Sequence, residues 1–263
     1  MNSYLAHPLL ILASGAFIGL LGGVIGLGGA EFRLPLLISL FGFVALEAVI
    51  LNKAMSLIVV ASALPFRFSV VPFETLVAHS DVIAILLSGS LIGAWSGAGW
   101  ATQIKAHTLY KIIAVLLVLI AGILLFGHGH GVHAPLFEGS SLIVMGALAG
   151  VGIGIFASLL GVAGGELLIP TITLLFGLDL KLAGSLSLAV SLPTMLVGFA
   201  RYSQDQSFNI LKHQIHFVGL MALGSIIGTY VGSLLLGIMP TEWLLPALAS
   251  ILVISSVKVW QHA

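Results

Sequence analysis

Gly26-Leu-Gly-Gly-Ala-Glu31-Phe-Arg-Leu-Pro35 lies between an apolar stretch carrying Gly15 and Gly19 and the pair Phe41-Gly42. The same arrangement returns 135 residues later as Gly161-Val-Ala-Gly-Gly-Glu166-Leu-Leu-Ile-Pro170, with Gly150 and Gly154 before it and Phe176-Gly177 after it. The register continues without a gap. Ser56-Leu57 falls on Ser191-Leu192, Gly89-Ser90 on Gly224-Ser225, and Gly93 and Gly97 on Gly228 and Gly232. The chain therefore reads as a duplication: a first membrane repeat over 1–127, a linker over 128–141 and a second membrane repeat over 142–263. Internal duplication in a very apolar chain is a recurrent design of secondary transporters, which place the substrate between the two copies near the bilayer midplane.

Composition places the chain in a membrane. Of 263 residues, 59% are hydrophobic and 7% charged, against about 25% charged in a soluble domain. Apolar runs extend over Leu9 to Ile25, Leu46 to Phe66, Val82 to Ala101, Leu109 to Phe126, Leu142 to Leu160, Leu186 to Phe199, Phe217 to Ile238 and Leu244 to Val257. Most reach or approach the roughly 20 residues that cross about 30 Å of hydrocarbon. The expected fold is an all-α polytopic membrane protein with about eight full transmembrane helices in two homologous repeats. The first run lacks a basic n-region and aligns with an interior run, so it is expected to be a retained span rather than a signal peptide.

Phe32 to Phe43 and its copy Leu167 to Leu178 are too short to cross, about 18 Å of helix each. Each follows a glycine cluster, which predicts a broken or re-entrant half-helix whose freed backbone groups face protein or a cavity. Four crossings per repeat would leave the copies parallel and an odd number would invert them. Arg67, Lys105, Lys111, Arg201, Lys212 and Lys258 are spread along the loops and give no positive-inside bias.

The glycine breaks carry the candidate chemistry. Gly28, Gly29, Gly164 and Gly165 permit a sharp reversal and close approach of a ligand. The half-helix that begins there presents N–H groups with no partner in the helix, at the positive end of the peptide dipoles, a setting that favours an anion. Glu31 and Glu166 are acidic groups at bilayer depth, which marks them as functional candidates. Protonated, such a carboxyl donates a hydrogen bond to an oxyanion and carries a coupled proton; ionised, it repels the anion. The competing account makes each glutamate a cap on its own half-helix, with Pro35 and Pro170 tolerated in the early turns. Lys53, flanked by Asn52 and Ser56, is an intramembrane cation whose mate in the repeat is Leu188, and it could also snorkel to the interface. Ser185, Ser187, Ser191 and Thr194 form the matching polar stripe, while Arg67 and Arg201 suit interface anchors or gate charges. The glycines spaced four apart are expected to pack helices.

The linker Gly127-His-Gly-His-Gly-Val-His-Ala-Pro135 offers three histidines. Structural zinc requires four ligands in a tetrahedron, so a solvated hinge is expected and no metal site is assigned; His79, Asp81, His213 and His216 read as loop polar groups. There is no cysteine and the net charge is zero, which argues against disulfide chemistry and against nucleic acid as a partner. No hydrolase or nucleotide-binding signature appears, so an enzyme, a cofactor and ATP-driven pumping have no support.

The paired motifs, each after a glycine-spaced span and before a serine-containing span, resemble the sulfite exporter TauE/SafE family of membrane permeases over about Leu9 to Val257; Ala30 and Ala163 stand where that family often has a third glycine. The resemblance implies a multi-pass permease of a bacterial-type cell inner membrane. It would move sulfur-containing oxyanions such as sulfite, thiosulfate or sulfonates, coupled to protons. Its partners would be a small anionic substrate and membrane lipid, with a homo-oligomer left open. The substrate-binding residues expected from these patterns are Gly28, Gly29, Glu31, Asn52, Lys53, Ser56, Gly164, Gly165, Glu166, Ser187 and Ser191, with Glu31 and Glu166 coupling the proton. Two alternatives are a cation or transition-metal carrier using the paired glutamates and the His-rich linker, and a non-transporting membrane scaffold.

Overall fold

A computed structural model of the protein describes residues 7–25, 29–67, 73–126, 139–235 and 241–263. The described residues are helical throughout, with no strand among them: α1 (Pro8–Ile25), α2 (Ala30–Ser39), α3 (Ala45–Arg67), α4 (Phe73–Ala78), α5 (Ser80–Ala101), α6 (Ala106–Phe126), α7 (Gly139–Leu160), α8 (Gly165–Phe176), α9 (Leu180–Tyr202), α10 (Ile210–His213), α11 (Ile215–Leu235) and α12 (Thr241–Trp260). Among the described residues six helices, against the about eight full spans expected, are long and apolar enough to cross a membrane: α3, α5, α6, α7, α9 and α11. Pro8–Gly23 in α1 and Leu248–Trp260 in α12 are shorter apolar stretches. Gly139 to Ser141, expected at the end of the linker, form the first turn of α7, and the three linker histidines lie outside the described residues.

The helix bounds repeat at the spacing of the sequence motif. Moved by 135 residues, α3 coincides with α9 end to end, α5 with α11 to within a residue, and α2 with the start of α8. The turns repeat as well. Gly29 (φ 72°) and Gly164 (φ 82°) both hold the left-handed conformation immediately before their short helices, a geometry that a side chain disfavours and glycine accepts. Asp179 caps α9 by accepting from the Lys181 and Leu182 N–H groups at 3.0 and 3.1 Å.

Two glycine seams hold the halves together. Along the first, Gly15 and Gly19 of α1 lie on the backbone of Met221 and Ser225, while Gly224 and Gly228 of α11 lie on Leu12 and Ala16. Along the second, Gly150 and Gly154 of α7 lie on Leu86 and Ser90, while Gly89 and Gly93 of α5 lie on Ala147 and Val151. Every contact in one seam has its counterpart in the other with 135 added to one residue and subtracted from its partner. Residue numbers rise together along both seams, so α1 runs parallel to α11 and α5 parallel to α7. Backbones approach this closely only where no Cβ intervenes, which is how helices associate in lipid.

The remaining directions follow from single contacts. Gly29 packs on the Ile18 carbonyl and α2 ends near Phe41, whose ring meets Phe217 at the start of α11 edge-on at 4.9 Å. The half-helix α2 therefore folds back along α1 and ends on the side where α1 began. In the same way α8 returns along α7, with Gly164 against Ile153 and Ala157 and Phe176 against Gly146. Helix α9 runs parallel to α5, since Ser90 meets Thr194 and Gly99 meets Arg201. It runs antiparallel to α3, where Lys53 meets Gly198 and Val60 clusters with Met195. The two halves consequently point in opposite directions through the bundle, settling the parity that the sequence left open. Residues such as Phe17, Ile92, Leu148, Leu196, Leu234 and Ile254 are exposed around the outside, as a lipid-facing surface requires.

A methyl group at Gly93 or Gly228 meets backbone across its seam, whereas nothing lies within 4 Å of a Cβ on Gly152. Gly93→Ala and Gly228→Ala are expected to destabilise the detergent-solubilised protein by about 1–3 kcal/mol, the cost of overpacking a tight contact, and Gly152→Ala to leave it unchanged. Thermal unfolding of the three variants checks this, and equal midpoints would refute the seams as the main inter-half contact.

Candidate functional site

Both half-helices begin in the protein interior. Glu31 and Glu166 occupy the second position of α2 and α8, are 1% and 4% exposed, and bring their carboxyl groups within interaction range of each other. Neither oxygen of Glu31, nor Oε2 of Glu166, has a hydrogen-bond partner among the described residues. Pro35 and Pro170 stand at the sixth helical position rather than in the first turn. With no N–H to donate, each removes the helical bond to the carbonyl four residues back, that of Glu31 or Glu166.

Asn52 ties the two breaks together. From the middle of α3 its Nδ2 donates to the Ala30 carbonyl at the start of α2, at 3.0 Å, and to the Leu160 carbonyl at the end of α7, at 2.9 Å. The second break also rests on α3, with Gly161 (φ 67°) against the Val49 carbonyl and the Lys53 N–H. Oδ1 of Asn52 is left without a partner.

Lys53 is fully buried and donates to the Ala157 carbonyl at 3.3 Å, so it does not snorkel to the interface. Its ammonium fits against Gly198, where a Cβ would lie 3.0 Å from both Lys53 Cε and Ser158 Oγ. Around it Ser158 donates to the Ala94 carbonyl, Tyr202 donates to the Ser158 carbonyl, and Ser90 shares a 2.7 Å hydrogen bond with Thr194. Ser187 and Ser191 are buried in α9, and the Ser187 hydroxyl is engaged by the Gly184 carbonyl at 2.8 Å. Ser185 likewise donates to the carbonyl of Lys181. Gly29 precedes α2, Gly164 precedes α8 and Gly165 opens it, whereas Gly28 lies outside the described residues.

Two residues gain a role that the sequence did not assign. Arg33, two positions beyond Glu31, is fully buried with only Nη1 engaged, donating to Ser56 Oγ at 3.4 Å. Its signal was available as an arginine two positions beyond Glu31 in a short, mostly apolar half-helix. Tyr202 is buried beside the Lys53 cluster and had no signal, since a tyrosine at a span end reads as an interface anchor. Arg201 places its guanidinium 5.7 Å from the Trp95 ring centre. His79 and His213 each face the carbonyl four residues earlier, at 2.9 and 2.8 Å, consistent with loop polar groups.

Long apolar helices packed around a buried polar centre, built where two half-length helices start, define a polytopic α-helical membrane protein. The family model described as sulfite exporter TauE/SafE matches residues 10–259, and the chain belongs to that family of membrane permeases for sulfur-containing anions. No curated protein and no solved structure matches the chain.

Asn52→Ala removes the donor shared by the Ala30 and Leu160 carbonyls, and leaving the terminal Leu160 carbonyl unsatisfied costs about 1–3 kcal/mol where water cannot replace it. The variant is expected to unfold well below the parent in detergent, and Asn52→Asp, which turns the donor into an acceptor facing both carbonyls, lower still. A midpoint within 1 °C of the parent, roughly the spread of replicate scans, would show that the tie carries no load.

Proposed function

We propose that the protein is a secondary transporter that moves sulfur-containing oxyanions such as sulfite, thiosulfate or sulfonates across the cell inner membrane, coupled to protons. The observation that carries this reading is the meeting of Glu31 and Glu166, one from the start of each half-helix, in the buried centre of a chain that belongs to a family of anion permeases. Two facing carboxyls favour holding a proton between them over carrying two negative charges. With the proton in place the centre admits an anion; with both groups ionised it repels one. Anion and proton then enter and leave together, and the proton gradient supplies the driving force.

Alternating access follows from the opposed halves. Residues 1–127 and 142–263 act as inverted repeats that rock against each other, and the central breaks open first to one side and then to the other. The half-helix N-termini and the Lys53 ammonium give the centre positive potential, with Ser56, Ser187 and Ser191 as neighbouring hydroxyls. The residues 128–141 join the repeats without taking part in the chemistry.

Proteoliposomes containing the full chain, loaded with labelled sulfite or thiosulfate under an imposed pH gradient, test the reading. Flux is expected to follow the proton gradient in the parent and to fall at least a hundredfold in Glu31→Gln plus Glu166→Gln, with the variant still folded. Movement of nickel or zinc in place of any oxyanion would overturn it in favour of a metal carrier.

A further inference from the structure

We propose that Arg33 is the residue that grips the anion, by a two-point contact from one edge of its guanidinium; this rests on the transport reading and names the substrate-binding group within it. Nη1 is held by Ser56, whereas Nε and Nη2 are buried and have no hydrogen-bond partner among the described residues. Those two nitrogens form one edge of the planar group and point parallel N–H bonds outward. That edge matches two oxygens carried on a single sulfur, phosphorus or carbon atom.

The neighbouring acid narrows what this edge can take. Glu31 stands two residues away, facing Glu166, and its charge acts on Arg33 through space, yet the acid and the guanidinium do not pair among the described residues. A buried guanidinium and a buried carboxyl left apart are costly unless a third group joins them. An oxyanion that accepts from Nε and Nη2, beside a proton shared with Glu31 and Glu166, satisfies all of these atoms at once. Ser56 fixes the guanidinium plane from α3, so the edge is presented rather than searched for. Helix α2 is almost wholly buried around it.

The grip exists once per chain. At the position of Arg33 in the second half stands Leu168, and at that of Lys53 stands Leu188, so the second half contributes Glu166 but no cation. The ligand class follows from the fork: a compact anion with at least two oxygens on one centre, such as sulfite, thiosulfate or a small sulfonate. A halide, a single sphere, bridges the two donors poorly.

The test uses the full-length protein, first in detergent and then in proteoliposomes, with sulfite, thiosulfate, methanesulfonate and chloride as probes. Arg33→Gln is expected to raise the Kd and the transport KM for sulfite and thiosulfate at least tenfold. Arg33→Lys, which keeps the charge and loses the fork, is expected to raise KM while the maximal rate changes little, and to narrow the preference for sulfite over chloride. If Arg33→Gln does not fold, Arg33→Lys carries the test. A folded Arg33→Lys whose KM and sulfite-to-chloride preference both stay within twofold of the parent overturns the proposal. A parent that binds thiosulfate without moving it overturns the transport reading and leaves the Arg33 comparison to be read from Kd. A parent that binds none of the oxyanions overturns both.

Discussion

Backbone touching backbone without an intervening side chain is the interaction on which the rest of this structure depends. Where α1 meets α11, and α5 meets α7, glycines on one helix lie directly on carbonyls of the other. In hydrocarbon there is no expulsion of water to drive helices together, so close packing must supply the association. Each seam joins an outer helix of one half to a helix of the other. The halves are thus clasped at two edges, and the space between the clasps is left for the half-helices.

That space has its own constraint. A helix that stops in mid-membrane exposes N–H and carbonyl groups that only protein can satisfy. Asn52 meets part of this demand by bonding Ala30 and Leu160 together, so that the start of α2 and the end of α7 are set by one side chain on α3. With those two points tied, Glu31 and Glu166 are brought face to face. The buried cations then occupy different places: Arg33 beside the carboxyl pair and Ser56, Lys53 beside Ser158 and Gly198.

The halves repeat in backbone and differ in polar side chains. Seam glycines, left-handed turns and helix bounds all recur at 135 residues, because they set the path of the chain. Arg33, Asn52 and Lys53 face Leu168, Ser187 and Leu188 in the other half. A symmetric frame with a one-sided polar lining suits a single ligand held between two moving parts.

Much of this was legible in the residues. The repeated motif, the apolar runs, the short pieces after each glycine cluster and the place of Glu31 and Glu166 at the start of those pieces all follow from local physics: helix length against bilayer thickness, and glycine conformation. The snorkelling account of Lys53 did not survive, since it turns on what the side chain meets from elsewhere in the chain. The sequence by itself determined that the protein lies in a membrane, that its path is drawn twice, and which acids lie at its breaks. Only the tertiary structure decided that the halves run in opposite directions, that Asn52 joins the two breaks, and that one edge of Arg33 is left free. The physical reason is that periodicity and composition act over a single helix, whereas direction, hydrogen-bond partners and vacancy are settled by contacts between residues more than a hundred positions apart, such as Asn52 and Leu160.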